Sequence, residues 1–358
     1  MSSSRLNSVF SNARGVDAIV IINTDIRDPN FTYLTELKSG VYEGDVLIAE
    51  RNGMKLLTSK LEYETAISQK REHLEVIEAR SSAEKMRGEM RSAIRGKVIG
   101  INGGFLPYSY FAQISKYKPK KIVDVGRAFS AARMVKDSHE IESIRRAASI
   151  TKFAILEAQK SLKEGITERE IAAKFNYAAQ DFGADGLAFD SIVSFGQNAA
   201  LPHHMPDNTK LTEGSFVLID VGAKVDGYCA DITRTLIFKE EKAKDLSKMK
   251  EMLKVVKDAQ LAAIKAIKPG VKGSTIHKIA AQYIDTAAGG KYKGTFIHSL
   301  GHSVGIEVHD GPGFSPNATE TLKPGMVITA EPGIYIEGFG GVRIEDDVLV
   351  TESGATVL

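Results

Sequence analysis

The stretch VLIDVGAKVDGYCADITRT, residues 217–235, decides how the chain is read. It opens as a β-rich apolar run, passes through the Asp226-Gly227 turn signal, and returns as a second strand in CADITRTLIF. Asp220 and Asp231 lie on either side of that turn and are expected to sit nearly opposite one another, with a bulge able to shift the pairing by a residue. Asp226 is well explained as a turn residue. Asp220, at the end of a strand reading VLID, is not.

The arrangement occurs twice. MVITAEPGIYIEGFGGVRIEDDVLV, residues 326–350, ends one apolar strand in Glu331 and carries Glu345 in the next, with Gly338, Gly340 and Gly341 between them. The flanking segments echo as well: LKEGITEREIA (162–172) resembles IKPGVKGSTIH (267–277), and LTEGSFVLID (211–220) resembles LKPGMVITAE (322–331). Gly165 and Gly270 mark the same break between two helices. Two related halves follow one another, and packing about a pseudo-twofold axis would bring four carboxylates together. Like charges that close raise one another's pKa and resist ionising, so the cluster needs neutralising. Two divalent cations match four carboxylates, and a histidine is expected to complete the set. FIHSLGHSVGIEVHDGPG (296–313) supplies His298, His302 and His309 as candidates.

Around this core the chain divides. Its 358 residues exceed one compact domain. Residues 1–127 read as a small α/β domain with strands at 18–22, 45–50 and 97–101, and its segment 61–81 reads as a solvated helix face. Residues 128–358 form the second domain, which makes the fold class α/β (α+β). Asp137 and Glu140 fit a capping box, followed by a helix with Ile141, Ile144, Ala148, Phe153 and Ile155 as its apolar stripe.

Composition narrows the function. The 47 Lys and Arg nearly balance 45 Asp and Glu, for a net charge of +2, so neither nucleic acid nor a membrane is expected as a partner. The lone cysteine, Cys229, excludes an intrachain disulfide, and MSSSRLNSVF lacks the apolar region of a secretory signal. A cytoplasmic protein is expected.

Five ordered motifs, NAALPHHMP, LIDVGAKVDGYCADITRT, SLGHSVGIEVHD, ITAEPGIYI and GVRIEDDVLV, resemble those of the pita-bread metallopeptidase family, within it the Xaa-Pro peptidases prolidase and aminopeptidase P. The first domain resembles the creatinase-type N-terminal domain. The resemblance implies a pita-bread catalytic domain holding two divalent metal ions (Mn, Co, Zn or Fe). Asp220 would then be a terminal ligand of one metal, Asp231 and Glu345 would bridge both, and His302 and Glu331 would hold the second. It further implies that Glu331 shuttles a proton, that His203 and His309 handle substrate, and that the enzyme is a homodimer. Proline-containing dipeptides or short peptides are the expected substrates, with Xaa-Pro dipeptidase as the main reading and Xaa-Pro aminopeptidase as the alternative. A non-catalytic interaction protein on the same fold should have lost ligands, and all five are present. Methionine aminopeptidases lack the long N-terminal domain, and creatinase-type hydrolases lack the ligands. Arg343 has two readings, substrate binding or charge balance for Glu345 or Asp346. His204 and His298 are expected to pack or face solvent, Cys229 to be a small buried thiol, and HDGPG (309–313) to be a chain reversal.

Overall fold

The computed structural model describes residues 2–70 and 72–358. They form two compact units, Met1–Arg133 and Met134–Leu358. The division at 133/134 falls at the end of helix Gly126–Met134, all but the last residue of which belongs to the first unit. Phe129 of that helix is buried, Ala132 accepts a hydrogen bond from the Tyr33 hydroxyl (3.2 Å), and Arg133 donates to Asn30 Oδ1 (2.9 Å).

In the first unit a six-stranded mixed sheet runs Leu74–Glu78, Gly53–Thr58, Val46–Glu50, Ala18–Ile22, Val98–Ile101, Lys121–Asp124. Ala18–Ile22 is β-branched almost throughout and buried on both faces, as a central strand must be. The expected strands at 18–22, 45–50 and 97–101 are all present to within a residue. Segment 61–81 differs. It holds a helix, Lys60–Gln69, followed by the strand Leu74–Glu78, where Leu74 and Val76 are buried and Glu75 is exposed. Two apolar residues two apart among charges are a strand signal that the charge pattern had masked.

The second unit realises the internal repeat in hydrogen bonds. Gly165 N donates to Leu211 O (2.9 Å) and Gly270 N to Leu322 O (3.0 Å); Leu211 N returns to Ile166 O and Leu322 N to Val271 O, both at 2.8 Å. Gly165 and Gly270 hold φ of 82° and 87°, a conformation that disfavours any residue with a Cβ. Helices Ser138–Lys160 and Glu168–Asp181 in the first half correspond to Leu246–Ala266 and Gly273–Thr286 in the second. The Asp137/Glu140 capping box is formed, each partner at 2.9 Å. Phe153 leaves the expected apolar stripe: it is exposed and meets Phe182 edge-on, while Ala147, Thr151 and Ala154 carry the buried face.

Each half contributes a three-stranded antiparallel sheet, ordered Ile232–Ile237, Phe216–Val221, Ile192–Phe195 in the first and Val327–Ala330, Asp346–Val350, Ala355–Val357 in the second. Phe216, Leu218, Met252 and Val256 pack in one core cluster, Ile276, Leu300, Ile328 and Val348 in another. Among the described residues no helix is long and apolar enough to cross a membrane.

Candidate active site

The opening hairpin is more elaborate than its sequence implies. A short inner hairpin, Ala223–Val225 with Tyr228–Cys229, takes up the Asp226-Gly227 turn, both of whose residues have positive φ (53° and 83°), as a type I′ turn needs. The outer ladder therefore pairs Asp220 with Thr233 and Val221 with Ile232, and Asp231 falls just beyond it. Asp231 lies two residues from the partner of Asp220, so both side chains keep one face of the sheet. In the second half, the pairs Ala330–Asp346 and Gly333–Arg343 bracket Glu331 and Glu345, which face one another across the gap between two ladders.

The halves are tied together at this place. Glu345 N donates to Thr233 O (3.1 Å), Asp231 N to Asp347 Oδ2 (3.1 Å), and the Thr233 hydroxyl to Glu345 Oε2 (2.6 Å). His302 is pinned by its backbone to Thr329, accepting from its amide at 2.8 Å and donating to its hydroxyl at 3.0 Å. Asp231, Glu345 and His302 thus bring ligand atoms within 4.8 Å of one another, with His302 Nε2 3.4 Å from Asp231 Oδ2 and 3.5 Å from Glu331 Oε1.

The electrostatics of the cluster call for a cation. Desolvation, then the neighbouring Glu345 and Asp220, push the Asp231 carboxyl far up; desolvation, then Glu331 and Asp220, do the same to Glu345. Glu331 is raised to about 8, chiefly by burial and against the pull of Arg343. Burial holds the His302 imidazole down at about 4, so the ring is neutral. With Nδ1 toward Ser303 O at 3.4 Å, it turns the Nε2 lone pair to the carboxylates. Asp220 Oδ1, Asp231 Oδ1 and Glu345 Oε1 are buried with no hydrogen-bond partner. Orphaned carboxylate oxygens around an imidazole lone pair are a donor set for divalent metal, and the residues present fit one.

Arg343 lies in the wall of the cleft and is held there by three side chains. Its Nη2 donates to Asp220 Oδ2 (2.5 Å), Nε to Thr233 Oγ1 (3.1 Å) and Nη1 to the Tyr335 hydroxyl (2.8 Å). It balances the charge of Asp220 by direct contact and acts on Glu345 through space, as expected, whereas Asp346 pairs with Arg234 (2.7 Å) instead. The Tyr335 hydroxyl passes the chain on to His298 Nε2 at 2.8 Å, and His298 Nδ1 faces Ser299 O at 2.8 Å. His298, read as packing or surface, instead lines the cleft and is held neutral, its pKa lowered to about 4 by burial. Tyr335 drew no attention in the sequence, because GIYI reads simply as core strand.

These side chains share a cleft of about 510 Å³ whose walls include His203, Asp220, Asp231, His298, His302, His309, Glu331, Arg343 and Glu345. The His302 and His309 rings lie 4.1 Å apart between centroids. Cys229 is buried nearby in the fold, its thiol donating to Ile306 O (3.4 Å) and pushed up to about 12 by desolvation, which leaves it chemically quiet.

Duplicated hairpins, converging acids and one imidazole define a metal-dependent hydrolase, and the class has a name. The chain belongs to metallopeptidase family M24, whose model matches residues 142–352, while the Creatinase/Prolidase N-terminal domain model matches 9–135. It is a metallopeptidase on the pita-bread fold, and that family implies divalent metal ions. Over 351 residues it is 36% identical to the Xaa-Pro dipeptidase of Pyrococcus horikoshii, covering 97% of this chain and 93% of that one. The Xaa-Pro dipeptidase of Pyrococcus furiosus is 38% identical over 317 residues, 87% of this chain and 86% of the relative. Among solved structures, the prolidase from Pyrococcus furiosus superposes with a TM-score of 0.84 at 32% identity, covering 98% of both chains. The X-Pro aminopeptidase from Thermotoga maritima gives 0.87 at 31% identity, with 98% and 97% covered.

Proposed function

We propose that this metallopeptidase is an Xaa-Pro dipeptidase. The observation that carries the proposal is the trio of orphaned buried carboxylate oxygens on Asp220, Asp231 and Glu345, set beside the His302 lone pair in the wall of a peptide-sized cleft. In this reading Asp220, Asp231, His302, Glu331 and Glu345 hold two divalent cations, with manganese and cobalt the first to test. When bound, those ions supply Lewis acidity and an activated water at neutral pH.

The remaining chemistry belongs to the chain. Glu331 takes the proton of the attacking water and delivers it to the proline nitrogen, which leaves as a ring amine and needs that proton. His203 and His309, both lining the cleft, hold the carbonyl oxygen as charge develops on it and orient the proline carboxylate. Arg343, with Tyr335 and Thr233, fixes Asp220, and its cleft-facing edge adds a contact to substrate. The substrate's free amino group docks beside Asp220, which restricts cleavage to N-termini.

The preference for dipeptides is supported by the two Xaa-Pro dipeptidases, similar over nearly the whole chain. The X-Pro aminopeptidase structure, equally similar in fold, favours a second reading, cleavage of longer peptides. Assay of Xaa-Pro against Xaa-Pro-Xaa with Mn²⁺ or Co²⁺ separates them. Turnover of the dipeptide alone is expected; turnover of the tripeptide selects the aminopeptidase, and cleavage of neither removes the proline specificity. A cytoplasmic location, consistent with a single buried cysteine, and a homodimer complete the reading, the latter to be checked by sedimentation velocity.

A further inference from the structure

His203 and His204 are adjacent, yet they turn opposite ways. His203 lines the cleft, and His204 Nε2 meets Glu168 Oε2 at 2.8 Å. Glu168 is the first residue of helix Glu168–Asp181, directly after its N-cap Thr167, and is fully buried. Glu168, His204 and Asp207 have the composition of a metal site. Their hydrogen bonding says otherwise: Oε1 accepts from Phe195 N (2.7 Å) and Asn198 Nδ2 (2.9 Å), and Oε2 from His204 Nε2 and Asp207 N (3.0 Å). No lone pair is left for a cation, in contrast to the orphaned oxygens of the active site.

All four donors come from residues 195–207, the segment that carries His203. The first amides of the helix grip the same segment further on, Glu168 N reaching Thr209 O and Arg169 N reaching Asp207 O, both at 3.3 Å. On its far side the segment packs against the strand Gly340–Arg343, with Gly196 O and Ala199 O close over Gly340 and Gly341, and Pro202 O lies 3.4 Å from Arg343 Nη2. A fully desolvated carboxylate at a helix N-terminus, saturated by one loop, is a rigid anchor for that loop.

We propose that Glu168 is a positioning residue of the peptidase, clamping the 195–207 segment through His204 so that the next-door His203 is presented to substrate at a fixed place. The proposal rests on the reading of the cleft as a peptidase site in which His203 meets the scissile group. Residues that hold a functional side chain in place are worth about 10–100-fold in activity.

The test uses the full-length, Mn²⁺-loaded enzyme. Glu168→Gln should lower kcat/KM for an Xaa-Pro dipeptide about 10–100-fold, but within about twofold when His203→Ala is already present, because both changes remove one function. His204→Gln, which keeps an N–H for Glu168, should retain far more activity than His204→Leu, and this pair carries the same cycle should Glu168→Gln fail to fold. Amide hydrogen exchange over 196–209 should quicken about tenfold or more in Glu168→Gln with metal content unchanged. Equal losses with and without His203, equal losses in the two His204 variants, or unaltered exchange would each overturn the proposal. Should the wild-type enzyme cleave no Xaa-Pro dipeptide, the substrate assignment fails, and the exchange measurement still decides whether Glu168 holds the segment.

Discussion

Stripping the metal should make the catalytic unit lose stability as the solution is made more alkaline from pH 6.5 to 8. Burial and mutual repulsion hold Asp231, Glu331 and Glu345 above the ordinary carboxylate range in the metal-free fold, Glu331 at about 8, while an unfolded chain gives up these protons near pH 4. The native state then binds more protons than the unfolded one. Stability from these groups is complete below the unfolded carboxyl range and is lost as pH rises through the folded value. Asp347, raised to about 8 by burial, adds in the same direction. His298 and His302 act oppositely: held down at about 4, they contribute stability above pH 6.5 that is lost as pH falls through 4. Below 6.5 the two effects offset one another; above it the histidines are neutral in both states and only the carboxyls speak. A carboxyl that stays protonated removes about 1.4 kcal/mol per pH unit, a slope that Glu331 approaches at the acid end of the window and that Asp231 and Glu345, also raised, steepen. The chain has no tryptophan, so urea unfolding is best followed by far-ultraviolet circular dichroism, in EDTA and with Mn²⁺. Metal loading, which needs the carboxylates ionised, should abolish the decline. A metal-free protein whose unfolding free energy stays level or increases across this window would refute the reasoning.

Three further outcomes are expected. Asp231→Asn should lose metal and more than about 100-fold of activity while making the metal-free protein more stable at pH 8, as read by elemental analysis and denaturation; retained turnover with two metals bound would disprove its role. Arg343→Met strands the buried Asp220 carboxylate and should cost about 3–5 kcal/mol in chemical denaturation. Gly301→Ala drives a Cβ into the Thr329 carbonyl oxygen next to His302, and should cost about 1–3 kcal/mol of stability and weaken Mn²⁺ binding in calorimetric titration.

The convergence of the candidate metal-site residues was legible because their pattern is local and doubled: strand ends in VLID and ITAE, returning strands with an acid, and a histidine segment between. What could not be read was whatever depends on meeting a distant neighbour. The pairing of Asp220 with Thr233 follows from an inner hairpin that uses up the Asp-Gly turn, and one apolar run followed by another does not announce a second ladder. His298 and Tyr335 are 37 residues apart and acquire meaning only through Arg343. Glu168 reads as one more acid in the first turn of a helix, where acids are favoured anyway; its role appears only when the 195–207 segment folds onto it. In the first domain, charged residues flanking Leu74 and Val76 concealed a strand that tertiary pairing with Gly53–Thr58 makes stable.

Hydrogen bonds that cross between the two halves, among them those joining Thr233 and Asp231 to Glu345 and Asp347, run through residues of the candidate site itself. Any excursion that lets the halves part therefore dissolves the active centre at the same instant. Thermal inactivation and loss of the native signal in this unit should trace a single curve, with no warm, loosened yet working species between them.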